Sequence, residues 1–192
     1  MKGLRAILFD MDGTITRPHI DWKTLRARVG VPEGSTIIAH IESLPTQEAI
    51  AAEAIVREVE MDAAEQSVAN PGVDELFARL YEMPLKLALI TNNHREAMEH
   101  VVATFGLRFD LLLSREDATL KPAPDLFLLA VERLDLDAGD VLCLGDGRYD
   151  RMACAAAGIR YIHLTHDPDE PPDGPTIHSL GELPGVLGLG GG

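Results

Sequence analysis

From residue 85 onward, short apolar segments alternate with amphipathic segments of helical length. The apolar segments are typical of buried strands and read LKLALITNN, FDLLLS, VLCLGD and RYIHLT. The segments between them carry apolar residues at helical spacing and read HREAMEHVVATFG, APDLFLLAVERLD and RYDRMACAAAG. Because parallel neighbours in a sheet need a crossover, this alternation predicts an α/β fold with a doubly wound parallel sheet.

A different pattern separates the first strand from this alternation. RAILFD at residues 5–10 is typical of a buried strand, and PGVDELFARL after Asn70 resumes the alternation with an amphipathic helix. Between them, apolar residues recur at helical spacing without a strand signal. The helical faces are Trp22, Leu25 and Val29, then Ile37, Ile38 and Ile41, then Ile55, Val56 and Val59. We predict an α/β core of residues 1–16 and 70–192 and a small all-helical insertion over residues 17–69.

The last segments and the cysteines show no catalytic pattern. HDPDEPPDGP is typical of a loop, HSLGELPGVL of a short helix, and GLGGG of a loose tail. Cys143 and Cys154 are too few and too widely spaced for a Cys-x-x-Cys metal or redox site. Both lie in apolar segments, and we expect them to be buried thiols.

Composition restricts the partners. The chain of 192 residues has a formal net charge of −14, so electrostatic repulsion disfavours nucleic acid and anionic membranes as main partners. A small phosphorylated ligand remains compatible, because local donors and a metal can bind it. No apolar run approaches the roughly 18 residues of a membrane span, and the N-terminus lacks a signal-peptide pattern. We expect a cytoplasmic protein, and the sequence leaves its oligomeric state open.

Polar side chains follow the predicted strands at the positions where ligands bind in such sheets, outside the strands' carboxyl ends. These residues are Asp10 and Asp12, Thr91 and Asn92, Lys121, and Asp146 with Asp150. Each has a simpler interpretation when taken alone: Asp and Gly favour turns, Thr caps strands and helices, and a loop lysine is usually solvated. Their convergence on one edge of the sheet favours a functional site.

Two other binding motifs fit the sequence poorly. An EF-hand loop follows a helix and has glycine at its sixth position, whereas DMDGT follows a strand and has glycine at its fourth. LGDGRYD resembles the start of a dinucleotide-binding loop, but Asp150 replaces the third glycine, and two acids would repel a pyrophosphate. With a magnesium ion, the same acids suit a phosphate.

The four pieces in this order resemble the motifs of the haloacid dehalogenase superfamily: DxDGT, a Thr or Ser after a strand, a Lys, and GDxxxD. KPAPD and PGVDELFARL are similar to its phosphoglycolate phosphatase-like branch. The resemblance spans roughly residues 5–165 and implies a Rossmann-like core with a small helical cap inserted after the first strand.

The resemblance also implies a role for each matched residue. Asp10 would be the nucleophile and Asp12 the general acid and base. Mg²⁺ would bind Asp10, Asp146 and the backbone carbonyl of Asp12. Lys121 would be a fixed catalytic charge that also binds phosphate. Thr91 and Asn92 would bind phosphate, and Asp150 would support the metal site.

The implied activity is magnesium-dependent hydrolysis of a small phosphate monoester through an aspartyl-phosphate. Dehalogenases and phosphonatases of the superfamily lack the second acid of DxDGT, which this chain keeps as Asp12. A sugar phosphomutase and a non-catalytic module that binds a phospho-ligand remain alternatives, and a dinucleotide enzyme is a more distant one. The insertion would select the substrate as a lid. Its candidate contacts are Arg17, His19, Trp22, Lys23 and Arg26.

Overall fold

The computed structural model describes residues 3–18, 20–169, 171 and 174–188. Its α/β fold confirms the predicted class, with a parallel six-stranded sheet in the order β3-β2-β1-β4-β5-β6. The strands are β1 Ala6–Phe9, β2 Lys86–Ile90, β3 Leu111–Leu113, β4 Val141–Gly145, β5 Arg160–Leu164 and β6 Thr176–Ile177. The order reverses at β1, so β1 lies between β2 and β4.

The helices of the described residues are α1 Trp22–Val29, α2 Ile37–Ser43, α3 Thr46–Glu65, α4 Val73–Leu80, α5 Arg95–Thr104, α6 Asp125–Leu134, α7 Arg148–Ala157 and α8 Leu183–Val186. From α4 to β5, helices and strands alternate as predicted. Short 3-10 turns cover Ala138–Asp140 and Leu180–Glu182. No helix in the described part of the chain is long and apolar enough to cross a membrane.

The central strand β1 is buried on both faces of the sheet. Its residues point alternately to opposite faces, so Ile7 and Phe9 pack into one apolar cluster and Ala6 and Leu8 into the other. All four have no solvent-accessible surface. A parallel sheet covered on both faces requires such continuously apolar strands, which is the pattern that RAILFD shows.

The segment between β1 and α4 consists of helices α1, α2 and α3, which share a separate apolar cluster. Its buried members are Leu25, Val29, Ile41, Ala52 and Val56. The two ends of this segment meet at the core, where the Arg17 N–H donates to Val68 O at 2.8 Å and the Asn70 N–H donates to Ile15 O at 2.8 Å. The domain boundaries at residues 16/17 and 69/70 stay a prediction.

The end of the chain differs in detail from the sequence expectation. Strand β6 was not predicted, because two residues, Thr176 and Ile177, show no detectable period; it pairs in parallel with β5. The expected last helix is a 3-10 turn followed by the four-residue α8. Most of the expected tail, residues 189–192, lies outside the described residues. Both cysteines are buried thiols, as expected.

Phe77 of α4 connects helix and sheet within the larger apolar cluster. Its ring is 1% exposed and its centroid lies 5.1 Å from that of Phe9 and 5.4 Å from that of Phe109. We expect Phe77→Ala to lower the free energy of unfolding by about 3–5 kcal/mol, since it removes apolar contacts and leaves a cavity. Urea denaturation measures the change. Leu128→Ala, at a position 48% exposed, is the control and should cost less than about 1 kcal/mol; equal losses would contradict this account.

Candidate active site

The carboxyl ends of β2, β1 and β4 are adjacent, and they carry three of the predicted site residues. Asp10 follows β1 and its N–H donates to Leu144 O of β4 at 2.9 Å. Thr91 follows β2 and its N–H donates to Leu113 O of β3 at 3.0 Å. Asp146 follows β4 directly. The sheet therefore brings these residues to one edge, as the sequence predicts.

A buried cation lies at the centre of this edge. The Lys121 ammonium group donates to Asp10 Oδ1 at 2.5 Å, to Asp150 Oδ1 at 2.6 Å and to Ile90 O at 3.1 Å. Lys121, Asp10 and Asp150 are each less than 10% exposed. Burial alone would lower the pKa of Lys121, but the charges of Asp10 and Asp150 outweigh it and raise the pKa. The lysine is therefore a permanent positive charge in contact with Asp10.

The side chain of Asn92 holds the backbone of Lys121. Its Nδ2 donates to Lys121 O at 2.9 Å and its Oδ1 accepts from the Lys121 N–H at 2.9 Å. These bonds use the amide oxygen and one of the two amide hydrogens, so Asn92 can still donate to a phosphate from its second amide hydrogen or from its backbone N–H. The Thr91 hydroxyl oxygen accepts from the Asn93 N–H at 3.1 Å, which leaves its own hydrogen to donate to a phosphate.

Three carboxylates lie close together beside the lysine. One oxygen each of Asp10, Asp146 and Asp150 lie within 4.8 Å of one another. Burial, followed by the charge of Asp150, raises the pKa of Asp10 well above its usual range. The same two causes raise the pKa of Asp146 to about 6. Crowded acids of this kind are hard oxygen donors that fit a divalent cation such as Mg²⁺, whose charge would favour their ionised forms.

Glycines allow the acids to approach the backbone this closely. Gly13 has φ +81°, and a Cβ there would lie 1.8 Å from Asp146 Oδ2. A Cβ at Gly145 would lie 2.9 Å from the Asp150 side chain. The hydroxyl of Tyr161 on β5 donates to Gly145 O at 2.7 Å, which helps to hold the loop that carries Asp146.

Asn70 and His166 hold the DMDGT loop, and sequence reasoning missed both. The Asn70 Nδ2 donates to the carbonyl oxygens of Gly13, Thr14 and Thr16 at 2.8, 2.9 and 3.1 Å. His166 Nε2 lies 2.6 Å from Gly13 O. Asn70 was interpreted only as the end of the insertion, and nothing in the sequence around His166 indicates this contact.

Asp12 lies beside the nucleophile candidate but has different partners. Its Oδ2 accepts from Asn93 Nδ2 at 2.9 Å. Burial, followed by the negative charge of Glu60, raises the pKa of Asp12 to about 7. Its side chain is not part of the close carboxylate cluster, and ligation of a metal by its backbone carbonyl stays a prediction. Asn93 and Glu60 were not among the predicted site residues, although Asn93 directly follows two that were.

The candidate substrate contacts of the insertion have varied surroundings. The Arg26 guanidinium donates to Ser35 O at 2.8 Å and to Pro32 O at 3.0 Å, so it holds the segment between α1 and α2. Trp22 was expected on the apolar face of its helix, but it is the first residue of α1 and is 51% exposed. Arg17 and Lys23 are exposed. His19 lies outside the described residues.

The sequence is similar to those of known hydrolases. The family model described as haloacid dehalogenase-like hydrolase matches residues 7–164. A haloacid dehalogenase-like hydrolase domain-containing protein of Arabidopsis thaliana is 32% identical over 162 residues, which span 79% of this chain and 66% of that protein. A phosphoglycolate phosphatase of Pectobacterium atrosepticum is 31% identical over 97 residues, which span 49% of this chain and 42% of that protein.

A solved structure shows the same fold over nearly the whole chain. The crystal structure of CbbY from Rhodobacter sphaeroides in complex with phosphate superposes with a TM-score of 0.70 at 23% sequence identity. The match covers 97% of this chain and 99% of that one. At this level of identity, the similarity supports the α/β architecture with its inserted helices and does not by itself assign a substrate.

The hydrogen bonds of Asn70 predict that this buried amide stabilises the DMDGT loop. Asn70→Ala should lower the free energy of unfolding by about 1–3 kcal/mol, because the carbonyl groups of Gly13, Thr14 and Thr16 each lose one hydrogen bond. Asn70→Asp should cost more, since its carboxylate oxygen would face those carbonyl oxygens. Urea denaturation with an unchanged m-value measures both. A loss below about 0.5 kcal/mol for both variants would contradict this role.

Proposed function

Because the chain belongs to the haloacid dehalogenase-like hydrolase family, we propose that it is a magnesium-dependent phosphatase acting on a small phosphate monoester. The family predicted from the motifs is confirmed by the match over residues 7–164. The observation that carries the proposal is the contact of Lys121 with Asp10 inside a cluster of acids, with Asp12 as a separate acid nearby. A nucleophile, a fixed positive charge and a proton donor are what phosphoryl transfer through an aspartyl-phosphate requires.

Asp10 and Asp146 are the proposed metal ligands, together with the backbone carbonyl of Asp12. Asp150 contributes an oxygen to the same cluster, and we assign it a supporting role in which its Oδ1 accepts from Lys121. When bound, Mg²⁺ would offset the negative charge shared by these carboxylates and the substrate phosphate.

In the first step, a carboxylate oxygen of Asp10 attacks phosphorus as the bond from phosphorus to the leaving oxygen breaks. Lys121 stabilises the negative charge on Asp10 and the phosphoryl oxygens. The Thr91 hydroxyl and the Asn92 N–H donate to those oxygens, at the N-terminus of α5. Asp12 gives its proton to the leaving oxygen, and its raised pKa of about 7 keeps that proton available near neutrality.

In the second step, water hydrolyses the aspartyl-phosphate. Asp12, now ionised, takes a proton from the water while the water oxygen attacks phosphorus. The bond between phosphorus and Asp10 breaks, which releases inorganic phosphate and restores both carboxyl groups. A small ester suits a chain of net charge −14 better than a polyanionic partner does, because only the phosphate needs local compensation.

A screen of phosphate esters with Mg²⁺, measuring released inorganic phosphate, tests this function. Asp10→Asn should show no turnover because it loses the nucleophile, and Asp12→Asn should lose roughly 10²–10⁴-fold in rate because it loses acid–base catalysis. Chelation of Mg²⁺ should abolish turnover reversibly. Asp137→Asn, at an exposed position, is the matched control and should keep the wild-type rate.

Three results would contradict the phosphatase assignment. An Asp10→Asn variant that hydrolyses the ester at the wild-type rate would exclude an aspartyl-phosphate intermediate at Asp10. Transfer of phosphate to a sugar hydroxyl in place of water would indicate the phosphomutase alternative. Binding of a phospho-ligand without turnover of any ester would indicate the non-catalytic module.

The position of Asp146 gives a further prediction. Gly13→Ala should abolish phosphatase activity, because the new Cβ would displace the Asp146 carboxylate, 1.8 Å away. Gly158→Ala is the matched control: Gly158 also has positive φ, +70°, but nothing lies within 4 Å of its Cβ position. Both variants should lose about 1–2 kcal/mol of stability from the left-handed backbone, and only Gly13→Ala should lose activity. Equal activities in the two variants would disprove the displacement.

A further inference from the structure

Asn93 contacts the proposed general acid directly. Its side chain is 3% exposed, and its Nδ2 donates to Asp12 Oδ2 at 2.9 Å. A carboxyl oxygen that accepts a hydrogen bond from an amide is the poorer place for the acid's own proton. When Asp12 is protonated, this bond therefore favours the proton on Oδ1 and fixes the direction in which it can be donated.

The backbone around Asn93 is held on both sides. The Asn93 N–H donates to Thr91 Oγ1 at 3.1 Å, and Asn93 O accepts from the Arg115 N–H at 3.0 Å. The Arg115 side chain donates from Nε to Asn92 O at 3.0 Å. A side chain on a segment bonded in this way has little freedom to turn, which is the condition for orienting another group.

Glu60, on helix α3 of the insertion, also holds the segment that carries Asn92, Asn93 and His94. Its carboxylate is 2% exposed, accepts from the His94 N–H at 3.0 Å and lies 2.6 Å from His94 Nδ1. Its other oxygen is bonded to the guanidinium of Arg115. One buried carboxylate from the insertion thus joins the residue after Asn93 to the arginine that binds Asn92 and Asn93.

We infer that Asn93 is a positioning residue that aims the Asp12 proton at the leaving group, and that Glu60 holds Asn93 in place through His94 and Arg115. The inference rests on the proposed function, because it assigns a purpose to Asn93 only if Asp12 transfers protons. It also gives the insertion a part in the chemical step that is separate from substrate selection.

Glu53 provides a matched control for Glu60. It lies on the same helix and contacts the same arginine, with Oε2 at 3.3 Å from Arg115 Nη1, but its side chain is 54% exposed. Its contacts do not include His94 in the described structure. Loss of its charge should leave the Asn92–His94 segment in place, since exposed ion pairs contribute little.

Leaving-group dependence separates positioning from a general loss of structure. The measurement is kcat/KM for two esters, an alkyl phosphate and p-nitrophenyl phosphate, because the nitrophenolate departs without needing a proton. For Asn93→Leu, which keeps the branched shape without a donor, kcat/KM with the alkyl phosphate should fall about 10-fold or more, and with p-nitrophenyl phosphate less than about 3-fold. Asp12→Asn should show the same selectivity more strongly.

The variants on α3 test the second half of the inference. Glu60→Gln should reproduce the leaving-group selectivity of Asn93→Leu to a smaller extent, and Glu53→Gln should match the wild type with both esters. If thermal unfolding shows that Asn93→Leu does not fold, the ratio measured for the smaller substitution Asn93→Ala decides. Equal losses with both esters in a folded variant, or no loss with either, would overturn the inference.

The wild type and Asp10→Asn separate this inference from the function on which it rests. Hydrolysis by the wild type that Asp10→Asn abolishes, combined with equal losses for the Asn93 and Glu60 variants, would overturn the positioning role alone. Absence of wild-type turnover with every ester would overturn the proposed function, and the inference with it.

Discussion

The site is built around one buried ion cluster, in which the Lys121 ammonium group lies between the carboxylates of Asp10 and Asp150. Removing charges from water costs several kcal/mol per ion, and only close pairing repays it. The three residues come from the end of β1, the segment between β3 and α6, and the first turn of α7. Each of these segments must therefore keep its place for the other charges to remain compensated.

The same constraint explains the polar contacts around the cluster. The side chain of Asn92 fixes the backbone of Lys121, and Gly13 leaves room for the Asp146 carboxylate against the loop that follows β1. More acids than cations face this edge of the sheet, and burial raises the pKa values of Asp10, Asp12 and Asp146. A divalent cation at these acids would offset their negative charge and so allow a phosphate to approach them.

The inserted helices also take part in the core's polar network. Arg57 on α3 pairs with Glu96 on α5 at 2.7 Å, at the surface, where such a pair contributes little to stability. Glu60, three residues further along α3, is buried and bonded to the segment that carries Thr91, Asn92 and Asn93. The insertion is thus attached to the motif that follows β2 by a contact whose loss would leave a buried charge uncompensated.

The sequence by itself determined the fold class, the positions of most strands and helices, and the residues at the carboxyl ends of β1, β2 and β4. Those features depend on local periodicity and on the motifs DMDGT and GDGRYD, and each of these can be recognised within a short stretch of sequence. Only the tertiary structure decided the partners of these residues. Asn70 reaches Gly13 across 57 positions and Arg115 reaches Glu60 across 55, and no local pattern records such contacts, because each depends on how separate helices and loops pack.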